Sequence, residues 1–183
     1  MKDKLANLNL YVNDNNLIFN FKCSNCVFNY SSLSEEDLPT FLRIRNSSAS
    51  FLHDSRIFDL YQAKIWFKSN NNDSYVIVNY EKNIIGYLRF RRNKINQIWI
   101  GLDIDEKLRG RGLGKKIYRC IFLHTDVLNN EGEVMLEVLE TNVRAIKLYQ
   151  KIGFIESERK KIIRDDIKIE SIQMKLDKSR YFN

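Results

Sequence analysis

Ile104-Asp105-Glu106-Lys107-Leu108-Arg109-Gly110-Arg111-Gly112-Leu113-Gly114-Lys115-Lys116 is the stretch where an apolar run ends, glycines cluster and a helical pattern begins. Upstream, Ile98-Trp99-Ile100-Gly101-Leu102-Asp103-Ile104 alternates in its second half, with Ile100, Leu102 and Ile104 on one face, which is the pattern of a strand. Downstream, Ile117, Ile121, Leu123 and Leu128 recur at roughly helical spacing, so Gly112-Leu113-Gly114 falls at a helix start. The N–H groups of a first helical turn have no acceptor within the helix, and the helix dipole places about half a positive charge there. A pyrophosphate docks on such amides when no side chain keeps it away, and glycine at 110, 112 and 114 removes that obstacle. Arg109, Arg111, Lys115 and Lys116 add cationic donors. The competing reading is a Gly-rich strand-to-helix turn whose basic residues are merely solvated.

Two familiar phosphate loops do not fit. A P-loop needs Gly-x-x-x-x-Gly-Lys-Ser/Thr, and Lys115 is followed by Lys116, with no hydroxyl for a metal. The dinucleotide fingerprint Gly-x-Gly-x-x-Gly fails because the spacing here is Gly-x-Gly-x-Gly. Arg109-Gly110-Arg111-Gly112-Leu113-Gly114 instead resembles the acetyl-CoA loop of the GNAT superfamily of N-acetyltransferases, Gln/Arg-x-x-Gly-x-Gly/Ala. A second block strengthens the resemblance: Asn142-Val143-Arg144-Ala145-Ile146-Lys147-Leu148-Tyr149-Gln150-Lys151-Ile152-Gly153-Phe154 is similar to that family's Asn-x-x-Ala-x-x-Leu-Tyr-x-x-x-Gly-Phe segment. The resemblance spans roughly residues 28 to 176.

Composition is compatible with it. A chain of 183 residues with 44% hydrophobic content can bury one sizeable core, and its length favours one domain. Three cysteines and no secretory signal argue against a disulfide framework, and no apolar run approaches the roughly 20 residues of a membrane span, so a cytoplasmic protein is expected. The net charge of +7 points to anionic ligands, whether CoA, a nucleotide-linked substrate or RNA, without choosing among them.

In chain order, residues 1–26 read as an N-terminal extension, 27–177 as the acetyltransferase domain and 178–183 as an unassigned tail. Leu8–Val12 and Leu17–Phe21 flank Asn13-Asp14-Asn15-Asn16, which predicts a hairpin serving as an added ribbon or a homodimer contact. Cys23-Ser24-Asn25-Cys26 has metal-ligand spacing, but no second pair or nearby histidine completes a zinc site, so no metal is expected. Val27–Tyr30 reads as a strand, and Ser34 with Asp37 forms a capping box for a helix reaching about Asn46. A polar and aromatic connector leads to a second helix around Leu60–Phe67. Tyr75–Tyr80 and Asn83–Phe90 are strands joined at Glu81-Lys82. Arg89-Phe90-Arg91-Arg92 mixes basic and aromatic residues; a strand end with an exposed basic turn is favoured over a nucleic-acid surface. Val134–Val138 is the next strand, Asn142–Ile152 a helix ended by Gly153, and Phe154-Ile155 with Ile167–Leu176 supply the last strands.

The resemblance implies an α/β fold in which a mixed central sheet, flanked by helices, splays around acetyl-CoA. Leu102, Asp103 and Ile104 would bind the pantetheine arm through their backbone and polarise the thioester. Arg109, Gly110, Arg111, Gly112, Leu113, Gly114 and Lys115 would hold the pyrophosphate, and Asn142 the arm or an ordered water. Many members have proline where Asp105 stands, so this chain adds a negative charge beside the loop. Tyr149 matches the family's tyrosine that protonates the CoA sulfur; a phenol with pKa near 10 is protonated at neutral pH. Its alternative is a helix tyrosine packed in the core.

An ammonium has no lone pair, so a base or water chain must take its proton. Asp103, Glu137 and His53 are the candidates, and a water-mediated path with no single indispensable base is expected. Arg45-Asn46 and the later Trp66 resemble members that acetylate nucleotide-linked amino sugars, and also ribosomal-protein acetyltransferases. His53, Asp54 and Arg56 either contact the acceptor or only order their loop. The expected activity is acetyl transfer to a small-molecule primary amine, with a nucleotide-linked amino sugar favoured. Acetylation of a protein N-terminus or ribosomal protein is the second reading, and a non-catalytic CoA- or RNA-binding module the third.

Overall fold

A computed structural model describes residues 11–13, 16–18, 21–22, 27–69, 74–124, 127–128 and 132–182. The Cys23–Cys26 segment lies outside them. Strands β1 (Tyr11–Asn13) and β2 (Asn16–Ile18) pair antiparallel with Tyr11 opposite Ile18, as the polar turn between them predicts. β3 (Phe21–Lys22) belongs instead to the main sheet, where it pairs with β4 (Phe28–Ser32), so the extension is tied to the domain that follows. The remaining strands are β5 (Ser74–Tyr80), β6 (Asn83–Arg92), β7 (Ile98–Ile104), β8 (Val134–Leu139), β9 (Phe154–Arg164) and β10 (Ile167–Leu176). Their order in the sheet is β3-β4-β5-β6-β7-β8-β10-β9, antiparallel except between β7 and β8.

Period-two alternation divides the core between the two faces of this sheet. Ile77 and Tyr87 pack with Leu38, Phe41 and Ile44 of helix α1 (Leu38–Ser47), backed by Trp66 of α2 (Leu60–Ser69). Val76, Val78, Leu88 and Phe90 face the other way, toward Ile117, Tyr118 and Ile121 of α3 (Leu113–His124) and Tyr149 of α4 (Val143–Lys151). The β5–β6 turn has Glu81 and Lys82 at φ 47° and 66°, the left-handed pair that a two-residue hairpin requires. Asp165 and Asp166, at 52° and 62°, make the same turn between β9 and β10.

The parallel junction positions the site. β7 pairs with β6 along its whole length, from Ile98 opposite Arg92 to Ile104 opposite Gly86, yet it pairs with β8 only at Ile98–Val134 and Trp99–Met135. β8 continues beside β10 from Met135 to Leu139, but its pairing with β7 stops at Met135, so one edge of β7 is left open from Ile100 to Ile104. Gly86 explains which neighbour β7 follows. A Cβ there would stand 2.5 Å from the Asp103 carbonyl oxygen, so only glycine lets β6 lie this close.

Several expectations are corrected. Leu128 lies beyond α3, and Leu123 is 49% exposed, so neither continues the apolar stripe set by Ile117 and Ile121. β9 runs to Arg164 rather than ending near Ile155; its residues from Ile155 to Lys161 are exposed, so the apolar signal that marks a core strand is missing. Cys120, on the buried face of α3, is disulfide-bonded, which the cysteine count did not lead us to expect. In the tail, α5 (Ser179–Phe182) brings the Tyr181 hydroxyl to the Ile152 carbonyl and its ring to 5.4 Å from Phe122.

Candidate active site

Three pieces of the chain converge at the open edge of β7. The first is the turn leading into α3. Gly110 and Gly112 sit at φ 79° and 76° with nothing within 4 Å of where a Cβ would be, so the backbone is bare and bends as side-chained residues rarely do. Gly114 serves a different purpose from the one expected: a Cβ there would meet Leu148 Cδ2 at 2.7 Å, so this glycine lets α3 and α4 approach. Leu113 starts the helix, and Arg111, Lys115 and Lys116 are exposed around its first turn.

Arg109 is committed to protein acceptors. Its guanidinium donates to the Ile104 carbonyl at 2.9 Å, the Ser47 carbonyl at 3.2 Å, and the Ser47 and Ser48 hydroxyls at 2.9 and 2.8 Å. It clamps the turn to the C-terminal end of α1 rather than projecting as a free cation. Asp105 is 7% exposed and equally committed, accepting from Arg43 at 2.7 Å and from the Lys107 amide at 3.1 Å. The Arg43 guanidinium, above all, holds the Asp105 carboxyl below the usual range. The negative charge anticipated beside the loop is therefore met by Arg43, a partner that lies 62 positions away.

The second piece is α4. Asn142 caps it, accepting from the Ala145 amide at 3.2 Å, which accounts for its place at the head of the motif. Tyr149 is 8% exposed, with its ring edge-on to Tyr118 at 5.9 Å and to Phe154 at 6.0 Å. Burial, and secondarily the charge of Asp103, push its phenol up to about 12. Asp103 lies opposite Tyr87 on β6, and cross-strand partners share a face, so Asp103 is on the α1 side of the sheet.

The third piece is a cleft of 480 Å³ between α1, α2, their connector and the diverging strands, lined at its inner end by Ile100 of β7 and Glu137 of β8. One wall is aromatic: Phe41 stacks on Trp66 at 5.5 Å, and Tyr75 and Tyr87 pack edge-on or tilted against them. The charged lining holds four arginines, Arg45, Arg56, Arg89 and Arg91, against two carboxylates, Asp54 and Glu137. Asp54 is already neutralised, gripped by Arg56 at 2.8 Å through both oxygens, and that guanidinium lowers its carboxyl to about 2.

Arg45 and Asn46 build this wall. Arg45 donates to the Asp54 and Arg56 carbonyls and lies over the Phe58 ring at 4.5 Å. Asn46 uses both ends of its amide on the Phe58 backbone, at 2.8 and 3.2 Å, and does not line the cleft. These two bonds hold the connector against the end of α1. His53 and Glu137 do line the cleft, and Ser171 of β10 stands between them, 2.8 Å from His53 Nε2 and 2.6 Å from Glu137 Oε1.

Sequence reasoning missed Ser171, Arg43, Arg89, Arg91 and Trp99 as parts of this region. For Arg89 and Arg91 a signal existed: spacing by two on a strand puts both on one face. Arg89 lies opposite Gly101, whose missing side chain leaves room for the guanidinium, and Arg91 lies opposite Trp99, with its guanidinium 5.9 Å from the ring. Among the described residues no group of three or more His, Cys, Asp or Glu side chains forms a metal site, and no helix is long and apolar enough to cross a membrane.

The Acetyltransferase (GNAT) family model matches residues 38–154, which takes in the turn, the open strand edge and all of α4. A spermine/spermidine N(1)-acetyltransferase of Bacillus subtilis is 32% identical over 83 residues, 41% of this chain. The chain spans 55% of that relative's length in the match. A solved spermidine N-acetyltransferase SpeG chimera from Vibrio cholerae and hSSAT superposes with TM-score 0.73 at 18% identity, covering 86% of this chain and 99% of that one. A ribosomal-protein-alanine N-acetyltransferase from Brucella melitensis superposes with TM-score 0.65 at 16% identity, covering 80% and 97%. At these identities the two structural likenesses speak to fold alone.

Proposed function

The chain belongs to the acetyltransferase (GNAT) family, and from that premise we propose that it transfers an acetyl group from acetyl-CoA to the primary amine of a small molecule held in the arginine-lined cleft. The observation that carries this reading is the single open edge of β7 from Ile100 to Ile104, with the bare glycine turn at one end and the cleft at the other.

Acetyl-CoA, when bound, supplies the thioester carbon that the amine attacks. Leu102 and the Ile104 amide turn their backbone groups to the open edge, where an amide-bearing arm could pair with them, while Asp103 between them turns its own to β6. The amides around Gly110, Gly112, Leu113 and Gly114, with the exposed Arg111 and Lys115, suit a pyrophosphate. Asn142 keeps its amide nitrogen for the same arm. Tyr149 donates its proton to the departing sulfur. A phenol raised to about 12 is fully protonated at neutral pH, which suits a donor.

The favoured acceptor is a nucleotide-linked amino sugar. A diphosphate meets the excess of arginine over carboxylate, and flat aromatic walls accept a base or sugar face. A polyamine is the second reading, supported by the name of the B. subtilis relative; a polycation would face the same excess of positive charge. Thiol release from acetyl-CoA, measured with nucleotide-linked 3-amino and 4-amino sugars, spermidine and N-terminal peptides, separates these readings. Turnover with a sugar nucleotide supports the favoured acceptor, and turnover with spermidine alone transfers the assignment to a polyamine. Acetyl-CoA binding with no turnover on any acceptor overturns the enzymatic reading for this panel.

A further inference from the structure

We propose that His53 is the base that deprotonates the acceptor, held in the required tautomer by Ser171 and Glu137 acting as positioning residues. This rests on the reading of the cleft as the acceptor site. The three side chains come from different parts of the chain: His53 from the α1–α2 connector, Glu137 from β8 and Ser171 from β10.

Proton accounting fixes their roles. The Ser171 hydroxyl carries one hydrogen, and Glu137 Oε1 stands 2.6 Å from Ser171 Oγ. An ionised carboxylate only accepts, so that hydrogen goes to Glu137. Ser171 Oγ, left with lone pairs, must then accept from His53 Nε2, 2.8 Å away. Nε2 therefore carries the hydrogen, and in the neutral ring the lone pair sits on Nδ1. Nδ1 makes no hydrogen bond among the described residues, and His53 lines the cleft. Ser171 is fully buried at 0% exposure while the His53 side chain remains 38% exposed, so the anchored nitrogen is inside and the ring still reaches solvent.

The charges around the ring come from three strands and the connector itself. Burial, then the cations Arg89 of β6 and Arg164 of β9, lower the imidazole below its ordinary value, while Glu137 of β8, 3.6 Å from Nε2, opposes them. Arg164 is held close by the Ser50 and Leu52 carbonyls at 2.8 and 3.1 Å. Asp54, next in sequence, is occupied by Arg56. The ring is therefore neutral at pH 7 and free to take a proton.

In the step, Nδ1 takes one proton from the acceptor ammonium. The freed amine nitrogen forms the C–N bond to the acetyl carbon as the C–S bond breaks; the thiolate takes the Tyr149 proton, and the second N–H proton that the new amide must lose passes through water to restore the Tyr149 phenol. The imidazolium keeps Nε2–H on Ser171 near the Glu137 charge, then releases its Nδ1 proton to solvent.

The test has two arms. In 15N-labelled protein carrying His124→Gln, which removes the only other histidine, long-range proton–nitrogen correlation reads the His53 tautomer without any turnover. The expected result at pH 7.5 is Nε2–H, with a titration below pH 6.5 that moves lower still in Glu137→Gln and a mixed tautomer in Ser171→Ala. An Nδ1–H ring, or a mixed tautomer in the otherwise native protein, overturns the proposal. In the second arm, His53→Gln lowers kcat about 100-fold and abolishes the acid limb of the pH–rate profile. Unchanged kcat with the limb intact overturns the proposal while leaving the acetyltransferase reading standing. If no acceptor in the panel is turned over, that reading fails and the tautomer arm alone decides the relay.

Discussion

At Tyr149 two requirements pull together: a proton donor has to keep its proton, and a core tyrosine has to be dry. The site is buried and lies near Asp103, and both effects favour the neutral phenol. Tyr149→Phe keeps the ring packing and removes the proton, so kcat for thiol release should fall by about 100-fold with little change in acetyl-CoA affinity. The same shift has a stability consequence. With the folded value about 12 and the unfolded value about 10, the native state holds its proton longer. Stability is complete below pH 10 and is lost as pH rises toward 12. Thermal melts at pH 9 and pH 11 should show a loss for the native protein that is smaller in Tyr149→Phe.

Asp105 works in the opposite sense. Arg43 lowers its folded value, so the contribution is present above the unfolded pKa near 4 and disappears as pH falls through the lower folded one. Arg43→Ala should lower the melting temperature by a few degrees at pH 7, and the gap to the native protein should close once pH falls below the ordinary carboxylate range. Half of the Arg43 side chain is exposed, which keeps the effect modest.

At the scale of elements, the site depends on how closely α3 and α4 approach. Gly114→Ala would drive a methyl into Leu148 Cδ2, 2.7 Å away, and overpacking of this kind costs about 1–3 kcal/mol. The prediction is non-additive: Leu148→Ala should recover part of the loss when combined with Gly114→Ala, measured by denaturant unfolding. Arg109→Ala removes four hydrogen bonds, three that tie the turn to Ser47 and Ser48 at the end of α1 and one to the Ile104 carbonyl of β7. It should weaken acetyl-CoA binding at least severalfold by titration calorimetry, because the amides lose their fixed spacing. Lysine at 109 should not restore binding, since a single ammonium cannot span the acceptors on Ile104, Ser47 and Ser48.

For the whole molecule, a net charge of +7 and a cleft rich in arginine make association with anionic ligands sensitive to salt. With a nucleotide-linked acceptor, raising ionic strength from about 0.05 M to 0.5 M should raise KM severalfold and leave kcat nearly constant, because screening weakens capture before it touches the buried step. A polyamine acceptor in the same cleft should show the reverse, with KM falling as repulsion is screened. Steady-state kinetics at the two salt concentrations distinguish them.

What the sequence by itself determined was local. Gly110 and Gly112 mark a left-handed backbone, Asn142 a helix cap, Ser34 and Asp37 a capping box, and the alternation of Ile98–Ile104 a strand; each signal is set by neighbours within one or two turns of chain. Period and spacing encode such features directly, which is why the turn, the strand before it and both helices after it were legible. β9 was not, because a strand exposed on both faces lacks the alternation that burial imposes. Only the tertiary structure decided what the polar side chains do. It gave Arg109 to Ser47 and Ser48, Arg43 to Asp105, Asn46 to the connector and Ser171 to His53 and Glu137. The Ser171–His53 contact joins residues 118 positions apart, and His53, on an irregular connector, has no periodicity to mark its side chain as turned inward. A hydrogen bond is settled by where the folded backbone brings its two partners, and no local pattern carries that distance.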